Sequence, residues 1–532
     1  MVAVVVFLAY GVAHPDAVAT LGRLYDDSVY LSIGKSIADG TGYRSVQLVG
    51  APVHVKFPPL LPALYATAWS AFGTLHAVAN VALWLNIVVT ALAAGLLWWL
   101  ARRELGVGPV PAALFCITPL LTARTMFYFS GAMGEPWMLL GWVAALCIVR
   151  HLGRRAELRL PVAGAAVALG LTLALTVLAR TQALAVALGI MAALVLRFDR
   201  RAVGVTVASM LAPLAVWRVW HGAMVREGPV STLPDQVSYL SWIPIGDASQ
   251  WASYIGKVAR MTTGEYWSTV PVVLVGWESP KTALLAAVLL ALGAVGVVLV
   301  ARRFPALAGS LVATAIVLIL WPYAEDRFLT PILPVLGLAA AYAMDRALGM
   351  VPTAMRRVGL VGVAALAVFI LGLNARTRRE ALLGEAGSPF VVAMSRITTW
   401  VSANTAPTDH IMVPWGGVIY LRTGRRTSIG NPEEAAFATS VLTEPERFVA
   451  SRLIADSVDV AVIWDKAPGR SAATLRAMDA SCPDLLSESS ETSQPSAAAD
   501  VHFYRVRRDV PCLEQFALGR GVSTPTKNKN AP

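Results

Sequence analysis

The stretch ALWLNIVVTALAAGLLWWLARREL, residues 82–105, runs from Ala82 to Ala101 without a charge and then reaches the pair Arg102–Arg103. About 20 mostly apolar residues are enough for a helix to cross the hydrocarbon core of a bilayer. Segments of this kind recur along the 532-residue chain, which is 56% hydrophobic and only 14% charged. Soluble domains carry about 25% charged residues. The composition therefore predicts a polytopic α-helical membrane protein.

The arginines predict how the chain is threaded through the membrane. About eleven segments are apolar enough to span it: 1–13, 79–101, 110–128, 132–150, 160–178, 181–198, 202–222, 282–302, 305–322, 328–348 and 358–375. Arginine clusters follow every second segment, at 102–103, 150–155, 197–201, 302–303 and 346–357. Cytoplasmic loops carry such basic excess, so we expect a multi-pass membrane protein with a cytoplasmic N-terminus and an extracytoplasmic C-terminal part. The net charge of +11 then follows from topology and does not indicate a nucleic-acid partner.

Two of the predicted outer loops, 14–78 and 223–281, are long. Long ordered loops usually carry function. Within the first, FPPLLPALYATAWSAFG (57–73) is apolar, but counting it as a span would move every later arginine cluster outside. We therefore predict an interfacial helix there.

The chain changes character after Arg376, where charges, Ser, Thr and Pro become frequent. PFVVAMSRITTWVSANT predicts an amphipathic helix, and HIMVP, VDVAVIW and DVHFYRV predict strands. We expect a membrane domain over 1–376, an extracytoplasmic α/β domain over 377–515 and a disordered tail over 516–532. Cys482 and Cys512 lie in the α/β domain, and an oxidising exterior would permit a disulfide between them.

Acids and cations gather in the predicted outer loops. They are Asp26, Asp27, Tyr30, Lys35, His54, Lys56, Glu135, Arg180, Asp235, Asp247, Glu265, Tyr323, Glu325, Asp326 and Arg327. The chain has no P-loop or dinucleotide-binding glycine motif, and nucleoside triphosphates are not expected outside the cytoplasm. An energised substrate at that surface would be a sugar linked to a lipid phosphate. Its transfer needs a carboxylate to take the acceptor's proton and cations to stabilise the departing phosphate.

A series of motifs, in order along residues 1 to about 375, resembles the GT-C glycosyltransferases. The motifs are YDDSVYLSIGKSIADG (25–40), HVKFPPLLPALYATAWSAFG (54–73), FSGAMGEPWMLLGW (129–142), LTVLARTQAL (175–184) and WPYAEDRFLTPILPVLGLAAAY (321–342). The likeness is greatest to the branch that contains the lipid A aminoarabinose transferase and the protein O-mannosyltransferases. It implies a GT-C-like membrane domain and a sugar donor on polyprenyl phosphate.

The resemblance also implies roles for individual residues. Asp26 takes the position of the base that deprotonates the acceptor in a single inverting displacement, and Asp27 stands where the family commonly has Glu. Lys56 and Arg327 match cations expected near the lipid phosphate, and Arg180 is a further candidate for that contact. The implied reaction transfers a sugar to an extracytoplasmic glycan, lipid or protein.

Each candidate also has a structural alternative. The acidic pair could cap the helix that follows it, and Lys56 could be an interfacial cation that snorkels. Arg180 could pair with Glu135, and Arg327 could pair locally with Glu325.

A divalent metal, Mg²⁺ or Mn²⁺, is a candidate cofactor. Asp247 and Glu265 of the second long loop could help to hold it or could supply a second carboxylate. Two other functions compete with glycosyl transfer: a flippase or transporter of lipid-linked sugars, which usually shows inverted repeats and midplane charges, and a non-catalytic scaffold for envelope enzymes.

Overall fold

The computed structural model describes residues 1–12, 17–18, 20–198, 200–229, 248–275, 280–321, 325–385, 388–429, 444–465, 471–488 and 501–519. Up to residue 385 the described chain is mainly helical. Its helices are α1 (Val2–Val12), α2 (Asp26–Ala38), α3 (Leu60–Phe72), α4 (Leu75–Trp99), α5 (Pro109–Leu121), α6 (Ala123–Ser130), α7 (Glu135–Glu157), α8 (Ala163–Ala179), α9 (Ala183–Arg197), α10 (Arg200–Glu227), α11 (Ala248–Val275), α12 (Pro280–Ala301), α13 (Pro305–Leu320), α14 (Ile332–Gly349) and α15 (Thr353–Glu385).

Six of the described helices are long and apolar enough to cross a membrane alone, and the bent pair α5–α6 makes a seventh if it counts as one span. Shorter apolar helices lie at four other predicted spans: Val2–Gly11, Ala163–Ala179, Ala183–Arg197 and Pro305–Leu320. The multi-pass helical character is thus confirmed, whereas the count of eleven and the orientation stay predictions. Helix α3 has 13 residues, so it is about 20 Å long, shorter than the roughly 30 Å hydrocarbon core.

Residues 110–128, predicted as one spanning helix, form the bent pair α5–α6, with a 57° bend between the two helices. Helix α5 loosens through a π-turn and ends in a 3₁₀ turn that contains Pro119. Proline has no N–H to donate to the preceding turn of a helix. Thr122 then starts the new helix, and its hydroxyl accepts the N–H of Thr125 at 3.4 Å. The break places the short helix α6 at a different angle beside the acidic end of α2.

The segment 223–281, predicted as a second long loop, is largely helical where the structure describes it. Helix α10 continues to Glu227, and α11 occupies Ala248–Val275. Lys257, Arg260 and Glu265 interrupt the apolar pattern of α11, which is why the segment was not recognised as a helix from its sequence. Residues 230–247, which include Asp235 and Asp247, lie outside the described part of the chain.

Three further boundaries differ from prediction. Helix α7 extends to Glu157, so Arg154 and Arg155 lie on a helix end instead of in a loop. Helix α15 runs past the predicted domain boundary at 376 to Glu385. The start of the predicted tail, 516–517, belongs to a C-terminal helix, Pro511–Ala517, while residues 520–532 lie outside the described residues.

The C-terminal region forms the expected small α/β domain. Its strands are β1 (Ile411–Met412), β2 (Thr427–Ser428), β3 (Val460–Trp464), β4 (Leu486–Glu488) and β5 (Val501–Val506), in the order β2-β1-β3-β5-β4. Its helices are α16 (Pro389–Asn404), α17 (Gly416–Thr423), α18 (Pro445–Ala455), α19 (Ser471–Ser481) and α20 (Pro511–Ala517). Strand β1 is parallel to β2 and β3, and β5 is antiparallel to β3 and β4. The predicted helix and all three predicted strands are therefore present.

A disulfide joins Cys482, at the end of α19, to Cys512 in α20, with a Cα–Cα distance of 5.8 Å. The bond closes a sequence separation of 30 residues, which stabilises a fold by roughly 3–4 kcal/mol through its effect on the unfolded chain. The predicted pairing is confirmed.

The α/β domain is docked on the first loop of the membrane part through backbone hydrogen bonds. Thr427 of β2 donates its N–H to Gln47 O at 2.8 Å and accepts from Val49 N at 3.1 Å. Residues 47–49 thereby extend the edge of the sheet, which satisfies an edge strand that would otherwise be exposed. The same docking brings α17 against α2, the helix that carries the acidic pair.

Candidate functional site

The acidic pair begins α2 after a tight turn with unusual backbone geometry. Tyr25 has φ 57° and ψ −63°, and the N–H of Asp26 donates to Leu24 O at 2.6 Å. A turn of this type with positive φ is strained for a residue other than glycine, at a cost of about 1–3 kcal/mol. Such strain persists only where the surrounding structure enforces it, so the turn directs Asp26 at the expense of local stability.

Asp27 holds the turn together from within. Its Oδ2 accepts the N–H of Gly22 at 3.0 Å, and its Oδ1 accepts the N–H of Ser28 at 2.6 Å. The residue is only 2% exposed. Burial raises the pKa of Asp27 to about 7, although the two backbone N–H groups oppose that rise. Of the two acids, Asp27 therefore has the kind of structural role that the capping alternative predicts, because its carboxylate holds the turn that leads into α2.

Asp26 has different contacts. Its Oδ2 accepts from Arg327 Nη1 at 2.7 Å, across 301 positions of sequence. Within the described ranges, no group donates a hydrogen bond to its other oxygen, Oδ1. One oxygen of Asp26 is therefore held by a cation while the second can still accept a proton, which is the arrangement that a general base needs.

Two guanidinium groups flank one aromatic ring beside Asp26. Arg327 lies 5.3 Å and Arg180 lies 5.6 Å from the centroid of Phe328. Arg327 also pairs with Glu325, and Arg180 Nη2 contacts Glu135 Oε1 at 2.8 Å. The Phe328 ring supports both cations through cation–π contacts. Both structural alternatives, the pairs with Glu325 and Glu135, are therefore present alongside the cluster.

Tyr30 connects the acidic helix to the segment that carries Lys56. Its buried ring stacks on Phe57, with centroids 4.7 Å apart, and burial raises the pKa of the Tyr30 hydroxyl. Lys56 is half-buried, and its ammonium lies 5.9 Å from the Phe57 centroid. The stack therefore brings Lys56 to the neighbourhood of the acidic pair.

His54 and Tyr43 fix the backbone next to Lys56. Phe57 N donates to His54 Nε2 at 2.9 Å, and His54 Nδ1 lies 2.9 Å from Ser45 Oγ. The Tyr43 hydroxyl donates to Phe57 O at 3.0 Å. Burial lowers the pKa of His54 to about 3, so the imidazole is neutral and accepts at Nε2. These bonds give His54 a structural role.

Helix α6 adds residues that the sequence reasoning missed or used only in part. Arg124 forms an ion pair with Asp326, and the Tyr128 hydroxyl donates to the same carboxylate. The Arg23 guanidinium lies 4.7 Å from the Phe127 centroid. Arg124 lies within the predicted span 110–128, so it was not a candidate site residue. The sequence feature that indicates the break before it is Pro119 followed by Thr122.

The two remaining candidates come from the predicted second long loop. Glu265 is exposed on α11, and Asp247 lies outside the described residues. Among the residues that can be described, no group of three or more His, Cys, Asp or Glu side chains could share a metal ion. The metal requirement stays a prediction, and the proposed glycosyl transfer uses only side chains of this chain.

The chain is similar in structure to ArnT from Cupriavidus metallidurans. The alignment with ArnT bound to undecaprenyl phosphate has a TM-score of 0.52 and 15% identity over 95% of this chain and 96% of that one. The alignment with the apo state has a TM-score of 0.50 and 16% identity over 95% and 97%. The oligosaccharyltransferase of Archaeoglobus fulgidus in complex with Zn and sulfate aligns at a TM-score of 0.51 and 15% identity, over 87% of this chain and 67% of that one.

No protein-family model matches the chain, and no curated protein matches it in sequence. The low identities to the solved structures show the fold alone. The chain has an ArnT-like fold.

Proposed function

We propose that this chain is an integral-membrane inverting glycosyltransferase, which moves a sugar from a polyprenyl-phosphate donor to a hydroxyl of an extracytoplasmic glycan, lipid or protein. The observation that carries the proposal is Asp26, whose Oδ2 contacts Arg327 at 2.7 Å beside a second guanidinium on the same phenylalanine. A base and anion-binding groups thus occupy one cluster. The ArnT-like fold supports this proposal, since ArnT is solved with undecaprenyl phosphate bound.

In the proposed step, the acceptor hydroxyl gives its proton to Asp26 Oδ1 as its oxygen attacks the anomeric carbon. The bond between that carbon and the phosphate oxygen breaks, and the electron pair leaves with the phosphate. Asp26 then releases the proton to solvent. The base makes this attack possible at neutral pH because the nucleophile need not be ionised beforehand.

The leaving phosphate gains negative charge, and fixed cations stabilise that charge most effectively in a site from which water is excluded. Arg327 offers a planar set of donors suited to a phosphate, and its Nη1 and Nη2 hold Asp26 and Glu325 at the edge of the cluster. Arg180 lies 5.6 Å from the centroid of the Phe328 ring that Arg327 also contacts, and Lys56 is held near Tyr30 through Phe57. We assign these three cations to the phosphate.

The proposal is tested with the purified full-length protein in proteoliposomes. Polyprenyl-phosphate hexose, pentose and amino-sugar donors, each radiolabelled in the sugar, are supplied with an envelope extract as acceptor. Glycosyl transfer releases polyprenyl phosphate and moves the label to a new product. A flippase would move the donor across the bilayer without releasing it, and a scaffold would do neither, so either result would overturn the proposal.

Asp26→Asn is the decisive variant. It keeps the size of the side chain but removes the base, so we expect turnover to fall about a hundredfold or more while donor binding is retained. Asp39→Asn is the matched control, because Asp39 ends the same helix in an exposed pair with Lys35. If Asp26→Asn transfers normally while Asp27→Asn is inactive, the base is Asp27 instead. Normal transfer by both variants would remove the mechanism.

A further inference from the structure

The position of Asp26 depends on a strained turn, and the membrane part supplies only some of the contacts that hold it. Tyr25 adopts φ 57° and Gly22 adopts φ 91° in this turn. Asp27 braces it from inside through Gly22 N and Ser28 N. A strained turn relaxes unless its outer side is also held, so the elements packed against it determine where Asp26 lies.

Helix α17 of the C-terminal domain covers the outer side of this turn. A Cβ on Gly417 would lie 2.5 Å from Ser28 Oγ and 3.1 Å from Ser28 Cβ. A Cβ on Gly22 would overlap Val418. The two surfaces therefore meet closely at two points, one at Gly22, four residues before Asp26, and one at Ser28, two residues after it.

A hydrogen bond and a second unusual backbone conformation reinforce the contact. Arg422 Nη2 donates to Val18 O at 2.6 Å, across 404 positions of sequence. Trp415, which precedes α17, has φ 56° and ψ 48° and packs its ring against Phe390 and Trp464. The left-handed conformation of a non-glycine residue turns the chain so that Gly417 approaches α2, while Gly416 lies against Thr427 of β2.

We infer that α17 is a positioning element of the active site: through Gly417 and Val418 it clamps the 22–28 turn, and through Arg422 it holds Val18 just before that turn, and so it sets the direction of Asp26, while Asp27 braces the turn from within. The inference rests on the proposed function. It assigns the C-terminal domain a part in turnover, and not only in docking. It requires that disturbing α17 slows the chemical step, because the phosphate-binding cations lie on other elements and keep their places.

Gly417→Ala tests the clamp. The added methyl group would push against Ser28, so we expect kcat to fall at least tenfold while KM for the polyprenyl-phosphate donor changes less than twofold. Gly424→Ala is the matched control. Gly424 ends the same helix at φ 74°, and a Cβ there would meet nothing within 4 Å, so this change strains the domain without pushing α2.

Rescue separates positioning from damage to the domain. Ser28→Ala removes the hydroxyl that the new methyl group would meet, so the Ser28→Ala, Gly417→Ala double variant should have a higher kcat than Gly417→Ala alone. If Gly417→Ala does not fold, Arg422→Ala tests the same clamp. Arg425→Ala is the control, because among the described residues the side chain of Arg425 bonds to Thr423, Thr405 and Ser402, all within the domain.

The outcomes are distinct. An inactive wild-type protein overturns the proposed function and the clamp together. An active wild-type protein whose Gly417→Ala or Arg422→Ala variant keeps its kcat overturns the clamp alone. Equal losses in Gly417→Ala and Gly424→Ala, or a loss confined to KM, would also overturn it. A selective loss of kcat with rescue by Ser28→Ala supports it.

Discussion

Substitutions in the buried pair of Arg180 and Glu135 can separate an effect on stability from an effect on phosphate binding. The side chain of Arg180 is 9% exposed and that of Glu135 is fully buried, with 2.8 Å between Nη2 and Oε1. Glu135→Gln leaves a buried guanidinium without its counter-charge. Breaking a buried pair in this way costs about 3–5 kcal/mol, so we expect the midpoint of thermal unfolding in detergent to fall by roughly 5 °C or more.

The control for this change is Glu157→Gln, an exposed acid at the other end of the same helix, which should leave the midpoint unchanged. The unfolding is followed by tryptophan fluorescence. A midpoint for Glu135→Gln within the error of the Glu157→Gln control would show that the pair is not buried as described, and the reasoning would fail.

A double variant then tests the second role of Arg180. Replacing the pair by Glu135→Leu with Arg180→Met removes both charges, and such replacements are often neutral or stabilising. The unfolding midpoint should therefore recover. If Arg180 also holds the donor phosphate, this stable double variant should still bind donor at least tenfold more weakly, since a charge-assisted contact is lost. Full recovery of donor binding would return Arg180 to a structural role.

Three further outcomes are expected. Between about pH 4 and pH 7 the folded chain keeps a proton on Asp27 that the unfolded chain has lost, because burial raises its pKa to about 7; stability should fall as pH rises through that window, and Asp27→Asn should flatten the slope of a plot of unfolding midpoint against pH. Lys56→Ala should raise the KM for donor more than it lowers kcat, while Glu265→Gln, at an exposed position, should leave both within about twofold in the proteoliposome assay. A cysteine placed at Arg154 should react with a membrane-impermeant maleimide only after the cytoplasmic side is opened, and labelling of intact cells would contradict the predicted topology.

The parts of the fold that follow local patterns could be predicted from the sequence. Apolar length identified the membrane helices, and short β-branched runs identified β1, β3 and β5. The bend within 110–128 was not predicted because hydropathy does not register the N–H that Pro119 lacks. Helix α11 was mistaken for a loop because its charges mask its periodicity.

Less of the candidate site than of the fold could be predicted from the sequence. The resemblance to GT-C enzymes named Asp26 and Arg327, but their contact spans 301 positions and no local pattern encodes it. The difference between the roles of Asp26 and Asp27 also could not be predicted from their neighbouring positions in the sequence. Two backbone N–H groups converge on one carboxylate and not on the other, and that depends on the positive φ of Gly22 and Tyr25.

The hydrogen bond between Thr427 and Gln47 has a consequence for the order in which the molecule is built. The two residues are 380 positions apart, and ribosomes add about 5–20 residues per second. Roughly 20–75 seconds therefore pass between the synthesis of the first loop and the synthesis of β2, the strand with which it pairs. Until then the 43–49 segment has no sheet to join, so chains arrested before residue 427 should be cut there by an external protease that the finished protein resists.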